Sequence, residues 1–221
     1  MKLKTLAIAA ATLAVGAITS QAQVYSQNVV GYVNKIAPSG SYVMICNPFT
    51  TGNDVLSNVL TAASVPSGAT VQLWNGTTWV GYTLSSGHWK KGLANADNTA
   101  LPPGVGFFYQ YTGGNSTNTF AGSVVAFSGS QATNALGTVI APFGSLVPYA
   151  DTITNTATFN LVVAPGSTLQ QWDVVNQKYN SFTYNGPNWK KGLATTNPVI
   201  QAGEGFFLQA SVATNWIQNA P

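Results

Sequence analysis

The sequence predicts an all-β protein made of two tandem, duplicated, small β-sandwich or barrel-like units, each with at most one short helix. Three observations predict it. The same set of motifs occurs twice in the same order. Short runs of aromatic and β-branched residues alternate with turn signals, among them 22 Gly and 11 Pro in 221 residues. Charged residues make up only 6% of the chain against a usual ~25%, while 45% are hydrophobic. That balance supplies ample apolar surface to bury and excludes a disordered chain.

The repeat is read directly. Trp89-Lys90-Lys91-Gly92-Leu93-Ala94 recurs unchanged as Trp189-Lys190-Lys191-Gly192-Leu193-Ala194. Gly104-Val105-Gly106-Phe107-Phe108 recurs as Gly203-Glu204-Gly205-Phe206-Phe207, and Thr70 to Trp74 matches Thr168 to Trp172. Further upstream, Ile45-Cys46-Asn47-Pro48-Phe49 aligns with Val139-Ile140-Ala141-Pro142-Phe143. The offsets of these blocks are 100, 99, 98 and 94, so insertions fall between blocks, as expected for loops between strands. The organisation read from them is a leader over 1–22, a first unit over 23–117 and a second over 118–221.

Within each unit the elements follow from local chemistry. Thr70 to Trp74 and Trp79 to Leu84 flank Asn75-Gly76, a strong hairpin signal. The second unit repeats this hairpin with a longer loop, Asp173 to Lys178. Tyr42 to Cys46 is a continuous apolar run ended by Asn47-Pro48, which suits a buried strand. Gly106 to Tyr111 is a further strand, followed by a turn at Thr112-Gly113-Gly114-Asn115 and a strand near Phe120 to Phe127. Asn215-Trp216-Ile217 holds the matching place at the end of the second unit. Asp54 before Val55, Leu56, Val59 and Leu60 predicts a short helix with Asp54 as its N-cap. Asp151 sits comparably, but the Thr-rich stretch behind it disfavours a helix.

These blocks resemble a loosely defined class of exported bacterial tandem β-modules of uncharacterised function. Their pattern runs Gly-aromatic-x-hydrophobic-x-x-x-Pro, then Trp-Asp/Asn-Gly, then Pro-Gly-x-Gly with paired aromatics. Here it corresponds to Tyr42 to Pro48, Trp74-Asn75-Gly76 and Pro103 to Phe108. The second unit departs from it: Ala202 replaces the Pro, and Asp173 is not followed by Gly. The resemblance implies a secreted β module and carries over no catalytic residue.

Lys2 and Lys4, the apolar run Leu6 to Ile18 and the small residues Ser20 and Ala22 read as a signal peptide cleaved after Ala22, with no membrane span thereafter. The remaining chain carries six Lys against five acids, a net charge of +1, and the whole sequence contains no Arg. Nucleic acid is therefore an unexpected partner, since Arg supplies the forked contacts to phosphate and guanine. The lone Cys46 reads as a small buried hydrophobe.

Titratable groups are scarce. His88 is the only His, and its counterpart is Asn188. Of the acids, only Asp54 and Asp151 occupy matching places, and both read as caps. No catalytic residue, metal ligand or cofactor site is expected. The Gly-x-Gly pairs lack a third Gly and a following helix, so they read as points of close backbone approach at a strand start rather than phosphate loops.

The candidate ligand-binding residues are Trp89, Lys90, Lys91, Trp189, Lys190 and Lys191. Trp beside Lys could stack a sugar ring or pair an anionic polymer. Alternatively, Trp89 and Leu93 fill the core while the lysines solvate a sheet edge. The expected function is that of an exported, non-enzymatic structural or interaction protein of the cell envelope or extracellular matrix. Its partners would be other envelope or matrix proteins or a surface glycan. The alternative is a carbohydrate-binding module using exposed Trp and Tyr.

Overall fold

The computed structural model describes residues 30–125 and 129–220; the expected leader lies outside them. The first unit comprises β1 (Val30–Ala37), β2 (Val43–Cys46), β3 (Phe49–Thr50), the helix α1 (Leu56–Val59), β4 (Thr70–Trp74) and β5 (Trp79–Ser85). It continues through β6 (His88–Lys91), β7 (Ala94–Asn95), β8 (Gly106–Gln110) and β9 (Ser116–Val124). The second comprises β10 (Gln131–Leu136), β11 (Ala141–Gly144), β12 (Asp151–Thr152), β13 (Thr168–Asp173) and β14 (Lys178–Tyr184). It ends with β15 (Trp189–Lys191), β16 (Ala194–Thr195), β17 (Val199–Ile200), β18 (Gly205–Gln209) and β19 (Thr214–Asn219).

Each unit is built on a six-stranded antiparallel sheet, in the order β2-β8-β4-β5-β6-β7 and β11-β18-β13-β14-β15-β16. The two orders are the same, strand for strand, which establishes the duplication as structure. A smaller sheet lies over one face: β1-β9-β3 in the first unit, β10-β19 in the second. The core sits between the two layers. Along β4, Val71 and Leu73 point into it, while Thr70, Gln72 and Trp74 point to the opposite face. Phe107 and Phe206 occupy matching core positions and are fully buried.

Three expectations need correcting. β9 pairs along its whole length with β1, so the expected boundary at 117/118 falls inside a strand, and the change of unit comes after Val124. The Pro48-Phe49 and Pro142-Phe143 pairs do not correspond. Ile45 pairs with Phe107 and Phe143 with Phe206, which makes the offset of this block 98. Asn47 thus matches Ser145, and both are buried. Each ties its own backbone two residues on: Phe49 N–H donates to Asn47 Oδ1 (3.0 Å), Val147 N–H to Ser145 Oγ (2.9 Å). Finally, Asp54 does not cap α1, whose N-cap is Val55; it accepts from Thr50 Oγ1 and Thr51 N–H instead. The second unit forms no helix among its described residues.

The units meet through the outer faces of their six-stranded sheets, and the contacts are reciprocal. Ile45 bridges Glu204, and Phe143, its counterpart, bridges Val105, the counterpart of Glu204. Cys46 N–H donates to Gly203 O (3.0 Å), and Gly144 N–H to Gly104 O (2.8 Å). This is the pattern of an isologous two-fold interface within one chain. The Gly-x-Gly pairs permit it. A Cβ on Gly106 would stand 2.7 Å from Phe143 O, and one on Gly205 2.8 Å from Ile45 O.

Candidate functional site

The Trp-Lys-Lys-Gly-Leu blocks form β6, β15 and the tight turns that follow them. Lys91 pairs with Ala94, and Lys191 with Ala194. Only two residues connect each pair, and the first, Gly92 or Gly192, has φ of 61° or 62°, a conformation that glycine adopts without strain. The turn throws the following Leu outward: Leu93 and Leu193 are both 100% exposed, so Leu93 does not fill the core. The tryptophans do the reverse. Trp89 and Trp189 are buried, and neither ring can stack a ligand. Lys90, Lys91, Lys190 and Lys191 remain at the surface, on the last strand but one of each sheet, beside the short edge strands β7 and β16.

All five acids hold local structure. Asp97 accepts from Trp89 N–H (2.8 Å) and Asn95 Nδ2 (2.9 Å), and lies 2.7 Å from Nδ1 of exposed His88. The His88 contact, followed by Asn95, holds its carboxyl below the usual range. Asp151 accepts from Thr152 N–H, Asn155 Nδ2 and Thr158 Oγ1. Asp173 accepts from Val175 and Asn176 N–H. Glu204 lies at the junction, accepting from Gln201 N–H (2.8 Å) and Gln171 Nε2 (3.1 Å). Burial pushes its carboxyl up, against the lowering influence of the Gln201 N–H, Lys35 and Gln171. Cys46 is buried beside Gly144, with its thiol pushed up to about 12 by burial.

The junction also carries a feature that local sequence patterns do not announce. Phe108, Trp172, Tyr179, Phe207 and Trp79 form a closed circuit of edge-to-face contacts, with centroids 4.8 to 5.7 Å apart. Tyr42 joins it on Phe108 at 5.9 Å. Beside the circuit opens a cleft of about 240 Å³, lined by Tyr42, Gln72, Phe108, Trp172 and Tyr179. Gln72 Nε2 donates to the Tyr42 hydroxyl (3.2 Å). Gly81, opposite Gln72 on β5, has open space where a side chain would stand.

The second unit's hairpin has the same four-residue connection as the first but is one strand pair longer, Asp173 with Lys178, and its tip fixes one wall. Gln177 grips the backbone of Tyr42 in both directions: its Oε1 accepts from Tyr42 N–H (3.0 Å), and its Nε2 donates to Tyr42 O (3.1 Å). Trp172 Nε1 donates to the same carbonyl (2.8 Å). The hairpin's extra length was visible in the sequence, though it lengthens the strands rather than the loop; its reach across 135 positions to Tyr42 was not visible.

Comparison with protein-family models, with curated proteins and with solved structures returns no match for this chain. Among the described residues, no helix is long and apolar enough to cross a membrane.

Proposed function

We propose that this chain is an exported, non-enzymatic structural or interaction protein of the cell envelope or extracellular matrix, and that β1 is its contact element. The supporting observation is the outward row of β1. Val30, Tyr32 and Ile36 are 72%, 72% and 68% exposed, on a strand that ends its sheet. The matching row of β10 carries Gln131, Thr133 and Ala135. An edge strand with three exposed apolar side chains beside Asn34 offers backbone groups and side chains to a partner, and among the described residues only the first unit presents one. The use of all five acids as local ties fits a protein whose polar groups hold shape.

The test uses the full chain as bait on an isolated envelope fraction. A partner retained by wild type and lost with a Tyr32→Lys, Ile36→Lys variant supports the reading. Equal recovery by both, or none by either, overturns it. Export is tested by intact mass of the native protein, with a mature N-terminus at Gln23 expected.

A further inference from the structure

We infer that the cleft between the units is a binding site for one uncharged pyranose unit of a glycan. The inference is independent of the β1 proposal and moves sugar binding away from the Trp-Lys-Lys hairpins, whose rings are buried.

The lining sets the ligand class. Among the described residues no Lys, Asp or Glu lines the cleft, so none of them compensates a charged ligand there. Aromatic rings form its walls, and a pyranose presents C–H faces suited to them. The polar pair is placed for two neighbouring hydroxyls. Gln72 spends an amide hydrogen on the Tyr42 oxygen, leaving its Oε1 as acceptor and the Tyr42 O–H as donor. One sugar hydroxyl can donate to the first while its neighbour accepts from the second.

Size and rigidity agree. About 240 Å³ lies below the ~300–1,000 Å³ of drug-sized pockets, which suits a single ring. The Tyr42 backbone is already held by Gln177 and Trp172, so little ordering remains to oppose binding. The opposite side of the pseudo-two-fold lacks these features. Tyr42 is replaced there by Ile140, which has no hydroxyl, and Tyr179 by Trp79, whose ring packs on both Phe108 and Phe207.

The experiment is calorimetric titration of the full chain with cellohexaose, mannohexaose and N-acetylchitohexaose, at low and high salt. Binding of at least one, unchanged by salt, is expected. Tyr179→Ala and Gln72→Ala should each weaken it by about tenfold or more, a loss of ~1.4 kcal/mol. The Gln72 variant guards against a folding defect, because it leaves every ring in place. Replacing Lys90, Lys91, Lys190 and Lys191 with Gln should leave binding at the wild-type level. Failure to bind any of the three overturns the inference. So does binding that survives both cleft substitutions, disappears in the lysine variant, or is competed by tetramethylammonium, which would mark a cation cage instead.

Discussion

Trp89 and Trp189 begin the same six-residue word, sit at the same place in the same sheet and are equally buried, yet their indoles differ. Trp89 Nε1 donates to Leu60 O at 2.8 Å, the carbonyl just past α1. The second unit has no such helix, and Trp189 Nε1 is buried without a partner. A buried donor left unpaired costs about 1–3 kcal/mol. Duplication thus copied the strands and their apolar faces, while the partners of buried polar groups are supplied separately in each unit by its loops.

The comparison is tested most strongly where the units should behave alike. Phe107→Ala and Phe206→Ala should each cost about 3–5 kcal/mol in chemical denaturation, because both rings are fully buried in matching positions. A large inequality between them would break the equivalence. Next in size, Gly106→Ala and Gly205→Ala should each cost about 1–3 kcal/mol, since each added Cβ meets the other unit's backbone.

A smaller effect separates the units. Trp89→Phe deprives the Leu60 carbonyl of its donor, whereas Trp189→Phe deletes a donor that has no partner. Denaturation should show Trp89→Phe to be the more damaging by about 1 kcal/mol; equal losses would mean that the indole nitrogens do not distinguish the units.

The pH dependence sharpens the same contrast at the Glu204 and Val105 positions. A carboxyl raised by burial contributes stability that is fully present below its ordinary value of 4.5 and lost as pH rises through its folded value. Asp97, Asp151 and Asp173 are shifted the other way, so their contributions hold above 3.8 and fade as pH falls. Glu204→Gln should therefore raise the thermal midpoint at pH 7 and leave it nearly unchanged at pH 4. The smallest stability effect belongs to the quadruple Lys→Gln variant, within about 0.5 kcal/mol of wild type. Light scattering should nonetheless show more aggregation, as the lysines flank short edge strands.

Much of the architecture was legible because its determinants are local. The Asn75-Gly76 hairpin and the buried run ending at Cys46 depend on residues adjacent in the chain, and the Gly-x-Gly pairs announce a close approach, though not that its partner is the other unit. The misreadings have physical causes. Leu93 shares strand parity with Trp89 on paper, but the two-residue turn between Lys91 and Ala94 breaks the alternation. Pro142-Phe143 imitates Pro48-Phe49 in letters, while pairing with the Phe-Phe strand sets the true offset. The cleft was out of reach because its walls come from both units, and Gln177 and Tyr42 stand 135 positions apart in the chain.

The reciprocal junction has a final consequence in terms of concentration. Two separate copies of such a unit would find each other only by diffusion, and their contact surfaces would have to be identical. Joining them in one chain replaces that encounter with an intramolecular one, at an effective concentration of about millimolar for a short tether. Self-complementarity then ceases to be required. One position across the axis holds Cys46 while its mate is Gly144, where a Cβ would stand 2.0 Å from the sulfur. Within one chain the two halves of a symmetric contact can therefore differ in sequence and still meet.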